Sequence, residues 1–207
     1  MMPSPALFLV VALALAVLAA LWLLRRLLCV AGPAELLVLT GRIERRASGE
    51  LVGYRLVRGG RALRLPWIER VDSLDLHPIE IEIEERNLLS HDFVPLGVTL
   101  RALVRVSPEP PFADAAAECL LGKIREEIAI LAERVLAGEL RHVVAALRPE
   151  ELVADTAQVM QVLAGRAGEA LARLGLVADT ITLKSITDDA GYLEAVARAR
   201  GSEANPS

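Results

Sequence analysis

From Pro5 to Leu24 the chain is an unbroken apolar run of Ala, Leu, Val, Phe and Trp, with no charge anywhere before Arg25 and Arg26 close it. At about 1.5 Å of rise per residue such a run makes a helix roughly 30 Å long, the thickness of the hydrocarbon core of a bilayer. The pattern predicts a single membrane anchor. Ser4 and Pro5 suit the N-cap and first helical position, since proline lacks only an N–H that would be unpaired there. Leu15 and Trp22 face lipid in this reading. Leu24, Arg25 and Arg26 form the headgroup end, and Gly32-Pro33 closes the segment. A cleaved secretory signal needs a positive residue ahead of the apolar run, and none is present. Because the nearest arginines follow the helix, the expected topology is single-pass in the cell (inner) membrane, N-terminus outside and main domain cytoplasmic.

Beyond Glu35 the period becomes two. Leu36 to Thr40 is apolar and branched. Tyr54 to Val57 and Ala62 to Leu65 flank Gly59-Gly60, which predicts a tight hairpin turn because paired glycines supply positive φ. Ile79 to Glu84 alternates isoleucine and glutamate without a fault, and Val98, Leu100, Ala102, Val104 and Val106 share one face opposite Arg101 and Arg105. If these two segments pair, the glutamates meet the arginines across the ladder. Leu65, Trp67 and Ile68, around Pro66, are the candidates for dipping into the membrane interface, where an indole is favoured, the alternative being that Trp67 closes the core of the sheet.

After Pro110-Pro111 the period becomes 3.6. Asp114 is the expected cap of a helix striped by Leu120, Ile124, Ile128, Leu131 and Val135, with Gly122 and Lys123 inside it and Gly138 near its end. Leu140 to Leu147 continues it. Pro149, Glu150 and Glu151 open a second helix running to about Leu174, and Gly175 fits a C′ position that folds Leu176 back on Leu171. Leu176 to Ile186 reads as a last strand, and a final helix runs from about Asp189 to Arg200. The fold class is therefore α+β. A transmembrane anchor with its juxtamembrane segment (1–32) precedes a strand-rich subdomain (33–110), a helical subdomain with one strand (111–200) and a disordered tail (201–207).

Composition narrows the chemistry. Past residue 34, 21 bases face 27 acids, a balance that makes nucleic acid an unlikely partner. Cys29 and Cys119 are too few for a disulfide framework or a zinc site, although a juxtamembrane cysteine such as Cys29 can accept a palmitoyl group. Ser90-His91-Asp92 holds the residue types of a hydrolase triad, but neighbours on an extended chain point apart, and a triad is assembled from distant positions. Gly122-Lys123 lacks the remainder of a phosphate-binding loop. His77 and His142 stand alone. No catalytic residue, cofactor site or metal site is predicted.

The order of parts, together with Gly53-Tyr54-Arg55, Gly59-Gly60-Arg61, Pro66, Ala116-Ala117-Glu118, Leu121-Gly122-Lys123, Glu150-Glu151-Leu152, Leu174-Gly175-Leu176 and Gly191-Tyr192-Leu193, resembles the flotillins. These belong to the stomatin, prohibitin and flotillin group that shares the SPFH (band 7) domain. The resemblance covers about Pro33 to Arg200. It implies a domain of two subdomains lying against the bilayer, and a non-enzymatic scaffold subunit that forms homo-oligomers and organises membrane microdomains. Gly59, Gly60, Pro66, Gly122, Lys123, Gly175 and Tyr192 would be structural positions of that family. The implied partners are the lipid bilayer and an NfeD-like membrane protein or a longer flotillin-like chain. The alternative is an adaptor for one membrane partner, such as a protease or transporter, without self-assembly. Flotillins continue into a long coiled coil, whereas this sequence stops shortly after Arg200, so a closed cage is not expected from it alone.

Overall fold

The computed structural model describes residues 5–45, 51–63, 68–188 and 191. The chain forms two compact units, Met1–Asp75 and Leu76–Ser207. The second unit thus begins at Leu76, ahead of the last two strands of the stretch that reads as strand-rich.

Unit 1 holds helix α1 (Pro5–Leu27) and strands β1 (Leu28–Arg45), β2 (Leu51–Leu63) and β3 (Arg70–Asp75). The strands form one antiparallel sheet in the order β2-β1-β3. β1 starts on the residue after α1 ends. Leu36, Leu37, Val38 and Leu39 are exposed by only 1%, 5%, 0% and 2%. Successive strand residues point to opposite faces, so this stretch of β1 is covered on both, as a continuous apolar run demands.

The register corrects the expected turn at Gly59-Gly60. Ala31 lies opposite Gly60 and Leu36 opposite Arg58, so β2 runs straight through both glycines in a single ladder with β1. Residues 32–35 of β1, including Gly32-Pro33, face Gly59 alone, and the glycines take φ of +61° and +92° to follow this bulge. Gly32-Pro33 therefore lies inside a strand. A bulge bends the strand that carries it.

How far the ladder bends follows from chain length. Leu63 pairs with Leu28, while a Cβ on Gly41 would lie 2.1 Å from the Ile68 carbonyl oxygen, so Ile68 abuts Gly41. Five residue steps from Leu63 to Ile68 reach at most about 18 Å. A straight β1 would hold Leu28 and Gly41 about 43 Å apart. β1 therefore bends between Leu28 and Gly41 instead of running straight.

Unit 2 pairs β4 (Ile79–Leu89), β5 (Pro95–Val106) and β6 (Leu176–Thr187) in that order, all antiparallel. The alternating residues of β5, from Leu96 to Val106, are buried on one face as their pattern requires. Between β5 and β6 come α2 (Phe112–Leu120), α3 (Arg125–Ala146), α4 (Pro149–Ala154) and α5 (Thr156–Ala172). α3 packs on β4, α5 on β6, and the two helices on each other. The core is the layer between them, where Leu100, Leu120, Leu136 and Leu171 are wholly buried.

Three helical expectations are corrected. Gly122, at φ +79°, ends α2 in a link before α3 instead of lying inside one helix. Asp114 sits in the first turn of α2, whose N-cap is Pro111. α3 runs unbroken past Gly138 to Ala146, and the helix opened by Pro149 breaks at Asp155, whose carboxylate accepts from the Gln158 N–H at 3.0 Å and so caps α5. Glu127 and Glu151 each reach back to the N–H that precedes their helix, at Ile124 (3.2 Å) and Arg148 (3.0 Å). That satisfies donors a helix start leaves open. The final helix expected from Asp189, with Tyr192, lies outside the described residues.

Candidate functional site

α1 is 23 residues long. Among its described side chains Leu13, Leu15, Leu18 and Trp22 are all more than half exposed, and Arg25 is exposed in the last turn. Among the described residues no helix is long and apolar enough to cross a membrane. The side chains of Pro5, Leu24 and Arg26 lie outside those described, as does that of Cys29.

Ile68, 62% exposed, stands at the head of β3. Leu65, Pro66 and Trp67 lie outside the described residues. What sequence reasoning missed here is Gly41. Its φ of +119° and its contact with the Ile68 backbone leave no room for a side chain, and no local motif marks it.

In unit 2, Gly175 ends α5 at φ +76°, with its N–H bonded to the Ala172 carbonyl at 3.0 Å, and Leu176 and Leu171 fold into the core. A Cβ there would lie 2.2 Å from the Ala116 nitrogen and 2.4 Å from the Phe112 carbonyl of α2. Gly175 therefore serves both a left-handed cap and a close helix approach. Gly122 has open space around it, so its part is conformational. Lys123 is exposed in the link, not on a helix.

His91 and Asp92 do touch, with Nδ1 3.1 Å from Oδ1, because they sit in a turn rather than on the extended chain assumed from sequence. Ser90 does not join them. Its buried hydroxyl accepts the Val94 N–H at 3.2 Å, and the His91 N–H bonds the Leu147 carbonyl at 3.0 Å. The three residues shape a hairpin tip that displays Phe93, 81% exposed, with φ +59°.

The outer face of the unit 2 sheet carries matched charges. Lys184 Nζ reaches Glu82 at 2.6 Å, Arg105 Nε reaches the two Asp179 oxygens at 2.9 and 3.0 Å, and Arg101 pairs with Glu80. Glu82 lies directly opposite Arg101 in the register, as the alternation predicts, while Arg105 turns to β6 instead. The Lys184 hydrogen bond and charge hold the Glu82 carboxyl below its ordinary pKa of 4.5.

One cavity of about 390 Å³ opens where α3, α4 and α5 meet, lined by Val143, Ala146, Leu147, Ala154, Val159 and Val162 with polar residues at its rim. Glu151 and Asp155 of that rim are already engaged in helix caps. Its chemistry is that of an apolar contact. Among the described residues no group of three or more His, Cys, Asp or Glu is placed to hold a metal ion.

Compared with known proteins, residues 30–205 match the family described as SPFH domain / Band 7 family. The chain is 28% identical over 174 residues to the flotillin-like protein FloT of Bacillus subtilis (strain 168), covering 82% of this chain and 34% of that protein. It is 30% identical over 146 residues to Flotillin-1 of Homo sapiens and of Mus musculus, covering 70% of this chain and 34% of each. The chain spans about a third of the length of the curated relatives it matches.

Proposed function

We propose that this chain, which belongs to the SPFH domain / Band 7 family, is a non-enzymatic scaffold subunit, anchored by α1 and assembling with further copies to organise membrane microdomains. The observation that supports the reading is the uncharged sequence of α1 over its whole length, of which the described side chains are only a part. Twenty-three residues make a helix about 34 Å long, its sequence holds no charge before Arg25, and its exposed leucines have no partner more suitable than lipid. The arginines at its C-terminal end favour a cytoplasmic body. Because β1 follows without a linker, the first sheet is held at the bilayer surface, where exposed Ile68 and neighbouring Trp67 can enter the interface.

The test is the mass of the full-length protein extracted in mild detergent, by light scattering or mass photometry. A discrete particle of many subunits is the expected result. A monomer or dimer would sink self-assembly and leave the adaptor reading. The apolar cavity between α3, α4 and α5 favours that second reading, since it offers one partner a place to bind. An NfeD-like membrane protein or a longer flotillin-like chain is the partner to try first.

A further inference from the structure

Each unit carries its own sign of charge. Residues 1–75 hold ten bases and six acids, a net charge of +4, while the remainder holds thirteen bases and 21 acids, a net charge of −8. In this acidic unit the cavity of about 390 Å³ between α3, α4 and α5 is floored by Val143, Leu147, Val159 and Val162, and Val162 stays 47% exposed. An apolar opening within the roughly 300–1,000 Å³ of ligand pockets suits an occupant that buries apolar groups. At its rim Glu151 and Asp155 are exposed beside His142, while Arg166 is held by Glu139 at 3.0 Å.

The chain delivers a segment of matching chemistry to this end of the unit. Thr187, the last residue of β6, lies opposite Gly97 of β5. Gly97 is three residues, about 10 Å, from Val94 at the hairpin tip, and that tip is tied to the cavity wall, where the His91 N–H bonds the Leu147 carbonyl at 3.0 Å. Six residue steps from Thr187 to Leu193 reach about 20 Å, and Gly191 turns the chain at φ +69°. Between Gly191 and Gly201 the sequence places Leu193, Val196 and Ala197 at helical spacing, with Arg198 and Arg200 after them. Nine residues between two glycines make only a marginal helix in water, so such a face needs a surface that buries it.

We infer that residues 192–200 dock back on their own unit, with Leu193 and Val196 filling the apolar cavity between α3, α4 and α5 and Arg198 and Arg200 drawn to its rim at Glu151 and Asp155. Charge favours this occupant. Residues 76–188 hold eleven bases and eighteen acids, a net charge of −7, whereas the segment holds two arginines and Glu194, a net charge of +1. A second copy of the acidic unit would meet like charge at the same place. The contact depends neither on α1 nor on self-assembly. A partner that uses this cavity must then displace the chain's own segment, so that binding there is regulated from within the fold.

The test uses the full chain in phosphatidylcholine vesicles, with hydrogen exchange read by mass spectrometry. Amides of 192–200 are expected to exchange about tenfold more slowly than in a free peptide, as burying two apolar side chains against the cost of ordering them predicts. Leu193→Asp/Val196→Asp, which alters no residue of the described core, should abolish that protection and speed exchange at 143–147 and 158–162 while leaving β5 unchanged. Val162→Asp should free the segment from the other side, and where it loosens β5 as well, the segment variant alone decides. A segment that exchanges as a free peptide overturns the inference. So does protection that survives Leu193→Asp/Val196→Asp, or that is lost with no change at 143–162. A cross-link then identifies the occupant. In a Cys29→Ala/Cys119→Ala background, Val162→Cys with Val196→Cys should form a disulfide within one chain, seen at monomer mass on a non-reducing gel. A product at dimer mass places the segment in the cavity of a second copy and overturns the assignment, as does the absence of any cross-link.

Discussion

On the open face of the unit 2 sheet, each strand answers its neighbour's charge, with Glu82 held by Lys184, Glu80 by Arg101 and Asp179 by Arg105. In unit 1 the edge strand β2 carries three arginines and no acid of its own. The backbones differ in the same sense. β5 is a regular alternating strand with one buried face, whereas β1 is buried on both faces at Leu36–Leu39 and bulged at 32–35. The unit 2 sheet pairs its charges across its own strands, whereas β2 brings a single sign to its sheet and is answered from other strands.

The sharpest way to break this comparison is to attack each unit through its own tight glycine. Gly41→Val drives a side chain into the Ile68 carbonyl at φ +119°, and Gly175→Val drives one into α2 at φ +76°. Left-handed strain and overpacking together are expected to cost roughly 3 kcal/mol or more at each site. Hydrogen exchange read by mass spectrometry should show β1 and β2 deprotected by the first, and β5 with α2 deprotected by the second. If either substitution opens both units alike, they are one cooperative body and the division at Asp75 is only geometric.

A smaller effect is expected at the hairpin tip. Asn87, at the irregularity within β4, and Phe93, at the tip, both take positive φ near +60°, and asparagine tolerates that region while an aromatic side chain does not. Phe93 is 81% exposed, so little packing offsets the strain. Phe93→Gly should therefore stabilise unit 2 by about 1 kcal/mol, measured as a shift in urea midpoint in detergent. An unchanged or lowered midpoint would mean that the ring packs in solution, and would remove Phe93 as a displayed contact residue. A gain in stability accompanied by a smaller particle mass would identify the tip as a site where stability is traded for assembly.

Legibility differed between the units for a physical reason. The alternation of Ile79–Glu84 and of Val98–Val106 is a local property of the chain, and so is the C′ glycine of α5; each could be read directly. Gly59-Gly60 misled because positive φ serves a turn and a bulge equally, and only the partner strand decides between them. The break at Gly122 and the cap at Asp155 were hidden in continuous apolar stripes, where a link of four residues preserves the face. Gly41 could not have been found at all, since what it must avoid is a carbonyl 27 positions away. Of the candidate site, the apolar helix α1 was visible, but the division of charge between the units was not. Net charge taken over the whole body was negative, and the division that exposes the arginines follows from β5 pairing with β6 rather than with unit 1.

The smallest expected effect tests the matched side of the comparison. The Lys184 hydrogen bond lowers the pKa of Glu82 below 4.5, so the ionised form is favoured in the folded protein. Its contribution to stability is complete above the ordinary carboxylate pKa and disappears as the pH falls through the lowered value. Glu82→Gln should therefore lower the unfolding midpoint of unit 2 slightly at neutral pH and leave it unchanged in strong acid, where the wild-type carboxyl is protonated too. Both partners are exposed, so the effect is bounded by the modest worth of surface pairs. High salt should shrink it further. An equal loss at both pH values would mean that the glutamine disturbs packing instead of charge, and the outer face of the sheet would no longer count as an electrostatically closed surface.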